Sequence, residues 1–172
     1  NGEIYNHLDL RKHLNSICNI EYSSFSDTET LLVSFEIIGI KETLKLCKGM
    51  FSLALFDQRK RTLTLCRDRI GEKPLYYGIN GNYFYFGSEL KSFKINSNFC
   101  AKVSENAFHN YLKFGYVPAP YSIYEGIYKL KPGNILEVSI DYINDEYKLD
   151  PFWTLNEEVS KAKINPFYGN DQ

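Results

Sequence analysis

The sequence predicts an α+β fold, a layered sandwich of antiparallel sheets flanked by helices. Its strongest strand signal is a near-continuous apolar run at 49–56. Both faces of this run are apolar, which is typical of a strand covered on both sides. A polar turn at 57–61 and an alternating segment at 62–66 make that strand half of a hairpin. Asn80 and Gly81 indicate a second tight turn, because this pair tolerates positive φ angles. Helical periodicity on either side of this strand-rich middle predicts the helical layers.

Apolar spacing predicts five helical segments around the strands. The first follows a strand that ends near Tyr5. The second begins at Ser26 or Asp27, where a capping side chain precedes acidic first-turn residues, and it ends at Gly39. Ser104 is the expected cap of the last helix. The predicted helices span 6–14, 26–38, 40–46, 90–94 and 105–114. The second helix is expected to bury a face made of Leu31, Leu32, Phe35 and Ile38.

The remaining segments complete one domain. Further strands are predicted at 21–25, 74–77, 83–86, 134–140 and 146–153. The stretches 115–120 and 130–133 are rich in Pro and Gly, so they are interpreted as turns or loops. Residues 1–153 are assigned to the domain. Residues 154–172, where the apolar pattern fades, are interpreted as a linker toward a further domain.

Composition and charge exclude several classes of protein. The 20 basic residues are balanced by 21 acidic ones, so no basic excess is available to neutralise the phosphates of a nucleic acid. The longest weakly polar stretch, 31–40, contains Glu36 and is too short to span a bilayer. The cysteines are widely spaced, with no paired motif and no histidine cluster, which favours reduced thiols in a cytoplasmic protein over a zinc site. They are Cys18, Cys47, Cys66 and Cys100.

The first residues of the chain are candidates for chemistry on an amide. Hydrolysis of an amide needs a nucleophile, a base and donors aimed at the oxyanion. The carboxamide of Asn1 and the backbone N–H of Gly2, which no side chain screens, suit the role of the donors. Glu3 and Asp27 suit the binding of a substrate ammonium group. The residues alone leave two alternatives open, because Asn-Gly is a common turn and Asp27 is a good helix cap.

A second polar cluster is interpreted as structural. Arg67, Asp68 and Arg69 are expected to brace a loop through ion pairs, and Gly71 is expected to serve a turn. Ser88 and Glu89 are expected to start a helix by capping. The three histidines lack the spacing of a metal site, so no metal is expected.

Six blocks of the sequence, in order, resemble the glutaminase domain of glutamine-hydrolysing asparagine synthetases. The blocks are NGEIYN (1–6), SDTET (26–30), GMFSLALFD (49–57), RDRIGEKPLYY (67–77), FGSELK (86–91) and FGYVPAP (114–120). The segments 122–124 and 130–133 continue the match. The resemblance therefore covers nearly the whole chain, as far as Trp153.

The resemblance implies an N-terminal-nucleophile fold, an αββα sandwich of two antiparallel sheets, here incomplete at its N-terminus. In this family a mature N-terminal cysteine attacks the side-chain amide of L-glutamine, and its own α-amine acts as the base. The resemblance identifies Asn1 and Gly2 with the oxyanion hole, and Glu3 and Asp27 with the clamp on the glutamine backbone groups. None of the four cysteines is N-terminal, so the nucleophile and the carboxylate-binding arginine are expected to lie before Asn1.

The resemblance also implies partners outside these 172 residues. The released ammonia is expected to serve a C-terminal synthetase domain of the same polypeptide, where ATP and magnesium drive the amidation of aspartate; no cofactor is expected in this segment. A homodimer is compatible with the sequence. The segment alone is expected to be inactive, with an unpaired sheet edge and poor solubility. The alternative is a truncated, non-catalytic module that only binds a partner.

Overall fold

A computed structural model describes residues 1–141 and 147–165 of the chain. The helices are α1 (His7–Ile17), α2 (Asp27–Ile37), α3 (Ile40–Leu46), α4 (Glu105–Phe114) and α5 (Leu155–Ile164), with a 3₁₀ helix at Leu90–Ile95. The strands are β1 (Gly2–Ile4), β2 (Gly49–Asp57), β3 (Thr62–Arg67), β4 (Tyr76–Asn80), β5 (Tyr83–Gly87), β6 (Ile127–Lys129), β7 (Asn134–Ser139) and β8 (Lys148–Pro151). Within these ranges no helix is long and apolar enough to cross a membrane.

The strands form two antiparallel sheets. The larger has the order β1-β2-β3-β7-β8 and the smaller the order β5-β4-β6. Both predicted hairpins are present, because β2 pairs with β3 and β4 pairs with β5. The strand predicted at 74–77 begins only at Tyr76.

Side chains of the larger sheet pack against different layers on its two faces. On one face, Phe51, Cys66 and Ile135 share a cluster with Leu10 of α1 and Leu44 of α3. On the other face, β3 and β7 share a cluster with Tyr77 of the smaller sheet; their residues in it are Leu65, Leu136 and Val138. The far side of the smaller sheet packs on the 3₁₀ helix. The expected α+β sandwich of antiparallel sheets is confirmed.

The strand buried on both faces is β3, and the prediction that it would be β2 is wrong beyond the middle of that strand. Thr64, Leu65 and Cys66 are buried in succession, whereas Phe56 of β2 is 46% exposed. The reason is that β1 pairs only with the first half of β2, so among the described residues the segment 53–57 has a free edge on that side.

Two predictions about the segment before and within α2 are wrong. No strand forms at 21–25, because side chains rather than a neighbouring strand satisfy this backbone. The Glu29 carboxylate accepts from the N–H groups of Ser23 and Ser24. Leu32 is 51% exposed. Leu31 and Phe35 of the predicted face do pack against the core. The fully buried residues of α2 are Thr30 and Ser34, whose hydroxyls donate to backbone carbonyls one turn earlier.

The first part of the segment 154–172, which the sequence predicts to be a linker, contains a helix. Residues 155–164 form α5, which Thr154 caps by accepting from the Glu157 N–H. No residue of α5 is buried, so its apolar pattern is weak in the sequence. Residues 166–172 of the predicted linker, and Glu146 at the start of the predicted strand, lie outside the described residues.

The loop after β3 is braced by backbone hydrogen bonds, not by the ion pairs that the sequence predicted. The Asp68 carboxylate is 1% exposed and accepts from four N–H groups. The donors are Gly71 (2.7 Å), Glu72 (2.9 Å), Lys73 (3.0 Å) and Phe51 (3.3 Å). Gly71 has a φ of +74° and serves this turn, as expected.

The two arginines beside Asp68 also bond to backbone carbonyls. Arg67 donates to the carbonyls of Gly71, Lys73 and Leu130, and burial lowers the pKa of its guanidinium. Arg69 donates to the carbonyl of Cys47 at the end of α3. The Asp68 carboxylate and the Arg67 guanidinium therefore hold the loop through hydrogen bonds to its backbone N–H and C=O groups.

Candidate active site

A cavity of about 370 Å³ opens beside β1, and all four site residues predicted from the sequence line it. This volume lies in the lower part of the usual range for small-ligand sites, roughly 300–1,000 Å³. The polar lining residues are Asn1, Glu3, Asp27, Thr28, Ser52 and Ser88. Apolar side chains of both sheets and of α2 complete the lining, among them Leu31, Leu53, Leu75 and Phe86.

The backbone of β1 leaves one donor free at the cavity. Asn1 and Ser52 exchange both backbone hydrogen bonds, at 3.1 and 2.8 Å. Antiparallel pairs alternate between bonded and non-bonded positions, so the next pair, Gly2 and Phe51, is non-bonded. The N–H and C=O of Phe51 accordingly face Asp68 instead. The Gly2 N–H therefore points to the outer edge of β1.

Only glycine fits at position 2. Its φ is +130°, and a Cβ built there would lie 2.0 Å from the Met50 carbonyl oxygen and 2.7 Å from the Phe51 Cα. Both are backbone atoms, which cannot move aside without breaking the pairing of β1 with β2. The close approach of the two strands therefore requires a residue without a side chain.

Asp27 lies at the same edge of β1. Ser26, not Asp27, caps α2, since its hydroxyl accepts from the Thr28 N–H. The Asp27 carboxylate instead accepts from the Ile4 N–H at 2.9 Å through one oxygen. Its other oxygen has the Thr28 hydroxyl at 3.5 Å. The helix-cap alternative for Asp27 is therefore excluded, and among the described residues its second oxygen has only the long hydrogen bond from the Thr28 hydroxyl.

The spacing along β1 separates a donor end from an acidic end. The N–H groups of Gly2 and Ile4 face the same edge and are about 7 Å apart, because each strand residue advances roughly 3.3 Å. Asn1 and Gly2 offer donors at one end, and Asp27 offers an acceptor at the other. This separation suits an extended amino acid whose side chain ends in a carbonyl group.

The electrostatics of the cavity favour a cationic group on the ligand. Two carboxylates, those of Glu3 and Asp27, line it, and the lining residues include no Lys, Arg or His. An ammonium group bound near them would gain from both charges and from charge-assisted hydrogen bonds. The lining as described holds no matching cation for a ligand carboxylate.

The hydroxyls of Ser52 and Ser88 are site residues that the sequence did not predict. The helix start expected at Ser88 and Glu89 is present, with Glu89 at the cap position of the 3₁₀ helix, but no side chain makes a cap bond there. Ser88 accepts from the Asn1 Nδ2 at 3.1 Å, and its Oγ lies 3.4 Å from the Ser52 Oγ. The only local signal was a serine directly after a strand, which is also typical of a cap.

The described thiols lie away from the cavity, whose lining includes no cysteine. Cys47 and Cys66 are fully buried, whereas Cys18 and Cys100 are exposed. Burial raises the pKa of the Cys47 thiol to about 12, against a smaller opposing effect of Arg69. Burial, and to a lesser extent the neighbouring Cys47, also raises the pKa of Cys66. Neither buried thiol forms the thiolate that nucleophilic attack requires.

Sequence comparisons match the chain to known proteins. The family described as glutamine amidotransferase domain matches residues 1–153. Two glutamine-hydrolysing asparagine synthetases of Bacillus subtilis are similar to the chain. Synthetase 3 is 34% identical over 145 residues, which are 84% of this chain and 23% of the synthetase. Synthetase 1 is 33% identical over 141 residues, 82% and 22% of the two chains. The chain thus spans less than a quarter of the length of these relatives.

Structural comparison finds the same fold in enzymes of low sequence identity. The glutamine phosphoribosylpyrophosphate amidotransferase of B. subtilis, solved with ADP and GMP, superposes with a TM-score of 0.61 at 19% identity, over 90% of this chain and 28% of that chain. A structure described as the allosteric regulatory enzyme of purine biosynthesis gives a TM-score of 0.63 at 19% identity, with the same two coverages. These likenesses show the amidotransferase fold. With its sequence matched from Asn1 to Trp153, the chain belongs to the glutamine amidotransferase domain family and, within it, is similar to the domains of glutamine-hydrolysing asparagine synthetases.

Proposed function

We propose that this chain is the glutamine-binding and oxyanion-stabilising part of a glutamine-dependent asparagine synthetase. The observation that carries the proposal is the placement of donors and carboxylates in one cavity. The free Gly2 N–H and the Asn1 carboxamide lie at one end of a strand edge. Asp27 is clipped to the same edge through Ile4.

The proposed binding mode follows from charge and spacing. The α-ammonium of L-glutamine binds at Glu3 and Asp27, and the side chain extends along the edge of β1. Its amide carbonyl then reaches Asn1 and Gly2. Ordinary binding contacts act on the ground state and the transition state alike, so loss of the carboxylates chiefly raises KM.

The proposed chemistry is acyl transfer from the side-chain amide. A thiolate attacks the amide carbon, and the carbonyl oxygen takes up the electron pair as an oxyanion. The Asn1 Nδ2–H and the Gly2 N–H donate to this oxygen. The intermediate collapses with transfer of a proton to the departing nitrogen, which releases ammonia and leaves a thioester. Water then attacks the thioester and releases glutamate.

We place the nucleophile outside the described site. The two buried thiols have raised or strongly raised pKa values, and none of the four cysteines lines the cavity. We therefore assign the nucleophile to a cysteine outside these 172 residues, and we expect this segment alone to be inactive. ATP, magnesium and the amidation of aspartate belong to a synthetase domain that is likewise outside it. A cytoplasmic location and a homodimer stay predictions from the sequence.

Glutamate release by the full product of the gene tests the proposal. Loss of one oxyanion donor typically costs about 10²–10³ in rate, so Asn1→Ala should lower kcat by that factor with little change in KM. Asn82→Ala is the matched control, because Asn82 is exposed in the turn between β4 and β5, outside the cavity. A full product that binds glutamine but releases no glutamate, or an Asn1→Ala variant of normal kcat, supports the non-catalytic module instead.

A further inference from the structure

Two hydroxyls lie behind the Asn1 carboxamide and form a short chain with it. The Asn1 Nδ2 donates to the Ser88 Oγ at 3.1 Å, and the Ser88 Oγ lies 3.4 Å from the Ser52 Oγ. Ser52 is only 4% exposed, and Ser88 is half-buried. Ser88 accepts from Asn1, and either of the two serine hydroxyls can donate in the contact between Ser88 and Ser52.

We propose that Ser88 is a positioning residue that holds the Asn1 carboxamide in the orientation an oxyanion requires; this inference rests on the proposed function. A carboxamide presents an NH₂ donor on one side and a carbonyl acceptor on the other. A rotation of half a turn exchanges the two. The NH₂ stabilises an oxyanion, whereas the carbonyl oxygen repels it.

The hydrogen bond to Ser88 uses one of the two hydrogens of the Asn1 Nδ2. The second hydrogen of the same nitrogen is left for the oxyanion. Rotation of the amide would break the hydrogen bond from Nδ2, and the Ser88 hydroxyl would have to reorient to donate to the carbonyl oxygen. The hydrogen bond to Ser88 thus belongs to the orientation in which the second Nδ2 hydrogen is left for the oxyanion.

The position of Ser88 is itself fixed by packing in the other sheet. Ser88 follows β5 of the smaller sheet, whereas Asn1 pairs with Ser52 in the larger sheet. A Cβ at Gly87 would lie 3.1 Å from the Phe93 ring, and Phe93 is 4% exposed. This tight contact holds the end of β5 in place, so the contact of Ser88 with Asn1 couples the two sheets across the cavity.

The consequence for kinetics is specific. The oxyanion exists only during the reaction, so a misoriented donor affects the transition state and not the binding of glutamine. Loss of one hydrogen bond corresponds to roughly a five- to tenfold change in rate. Ser88→Ala should therefore lower kcat for glutamate release by about five- to tenfold, with KM within twofold of the unmodified enzyme.

A double-mutant cycle in the full gene product tests whether Ser88 acts through Asn1. We expect Ser88→Ala to slow the enzyme that has Asn1, and to have no further effect in the Asn1→Ala background. Ser88→Thr keeps a hydroxyl and should restore kcat to within about twofold. Ser97→Ala, at an exposed serine after the adjacent 3₁₀ helix, is the control and should be neutral. Thermal unfolding of each variant separates a loss of rate from a loss of fold.

Each result decides between the proposals. If Ser88→Ala lowers kcat by the same factor with and without Asn1, or raises KM instead, the positioning role is overturned while the proposed function stands. If Asn1→Ala itself leaves kcat unchanged, both are overturned. Should Ser88→Ala fail to fold, Ser88→Cys, which keeps the shape but bonds weakly, takes its place in the cycle.

Discussion

Two aspartates, Asp68 beside β2 and Asp27 at the outer edge of β1, differ in how many hydrogen bonds their carboxylates already accept. Asp68 is 1% exposed and accepts from four backbone N–H groups, so its oxygens are saturated by the protein. Asp27 is half-buried, accepts from the Ile4 N–H and, at 3.5 Å, from the Thr28 hydroxyl, and lines a cavity. Both lie close to glycines of positive φ, Gly71 and Gly2. A structural carboxylate and a candidate binding carboxylate are thus distinguished by how many donors each has already engaged.

The comparison also shows why a backbone donor stays free at the cavity edge. Phe51 lies between the two regions: its N–H and C=O bond to Asp68, so they are not available to Gly2. The same alternation that turns the Phe51 backbone toward Asp68 leaves the Gly2 N–H free at the outer edge of β1. The hydrogen-bonded loop around Asp68 thus lies next to a strand edge that keeps an unpaired N–H.

The largest expected effect comes from Asp68→Asn. The new amide keeps the shape but brings an NH₂ group to face the N–H donors of the loop. Breaking such a buried network costs about 3–5 kcal/mol of the free energy of unfolding. Urea denaturation followed by circular dichroism should show this loss. Asp57→Asn is the control, since Asp57 also accepts from two backbone N–H groups but in an exposed turn; its midpoint should move far less. Equal shifts for the two variants would contradict the structural role of Asp68.

The second effect in size is that of Gly2→Ala. The added methyl would lie 2.0 Å from the Met50 carbonyl oxygen, so β1 must shift away from β2. Strain of this kind costs about 1–3 kcal/mol, and the displaced Gly2 N–H should also lower glutamate release by the full gene product. Gly39→Ala is matched, because Gly39 has a φ of +82° but no atom within 4 Å of its Cβ position. That variant should lose some stability and no activity.

Asp27→Asn makes the same change at the carboxylate that lines the cavity, so it can be compared directly with Asp68→Asn. The amide oxygen can still accept from the Ile4 N–H, so the unfolding midpoint should barely change. Loss of the charge should weaken glutamine binding, and a hydrogen bond to a charged group corresponds to roughly a tenfold rise in KM. Steady-state kinetics of the full product measure it. A normal KM together with a large loss of stability would show that the Asp27 carboxylate is structural, like that of Asp68.

The smallest effect concerns the buried thiols, which belong to the saturated interior. In the native protein a maleimide should label only the exposed Cys18 and Cys100, and all four cysteines should react after denaturation. The Cys47 pKa is raised from 9.0 to about 12, so the folded state keeps its proton when the unfolded state has lost it. The stabilising contribution is complete below pH 9 and is lost as the pH rises toward 12. Urea denaturation across this range should show a shallower decline for Cys47→Ala than for Cys100→Ala.

The parts of the fold that the sequence predicts well are those encoded within a few neighbouring residues. Helix α4 lies where expected, from Glu105 to Phe114, with Ser104 as its cap. The hairpin of β2 and β3 also follows its local pattern. The strand expected at 21–25 fails, because the backbone there bonds to Glu29 and not to another strand. Leu32 fails because burial on α2 is decided by the layer it meets and not by apolar spacing alone.

By itself the sequence determined the alternation of strands and helices and the charge balance. Through its resemblance to a family it also identified four candidate site residues. Only the tertiary structure decided that Asn1, Gly2, Glu3 and Asp27 line one cavity, because they reach it from a strand edge and from a helix. The same holds for Ser88, which the sequence places 87 residues from its partner Asn1. The physical reason is that periodicity and capping act over a few residues. Which donors stay free, and which hydroxyl reaches across two sheets, depends instead on strand order and packing.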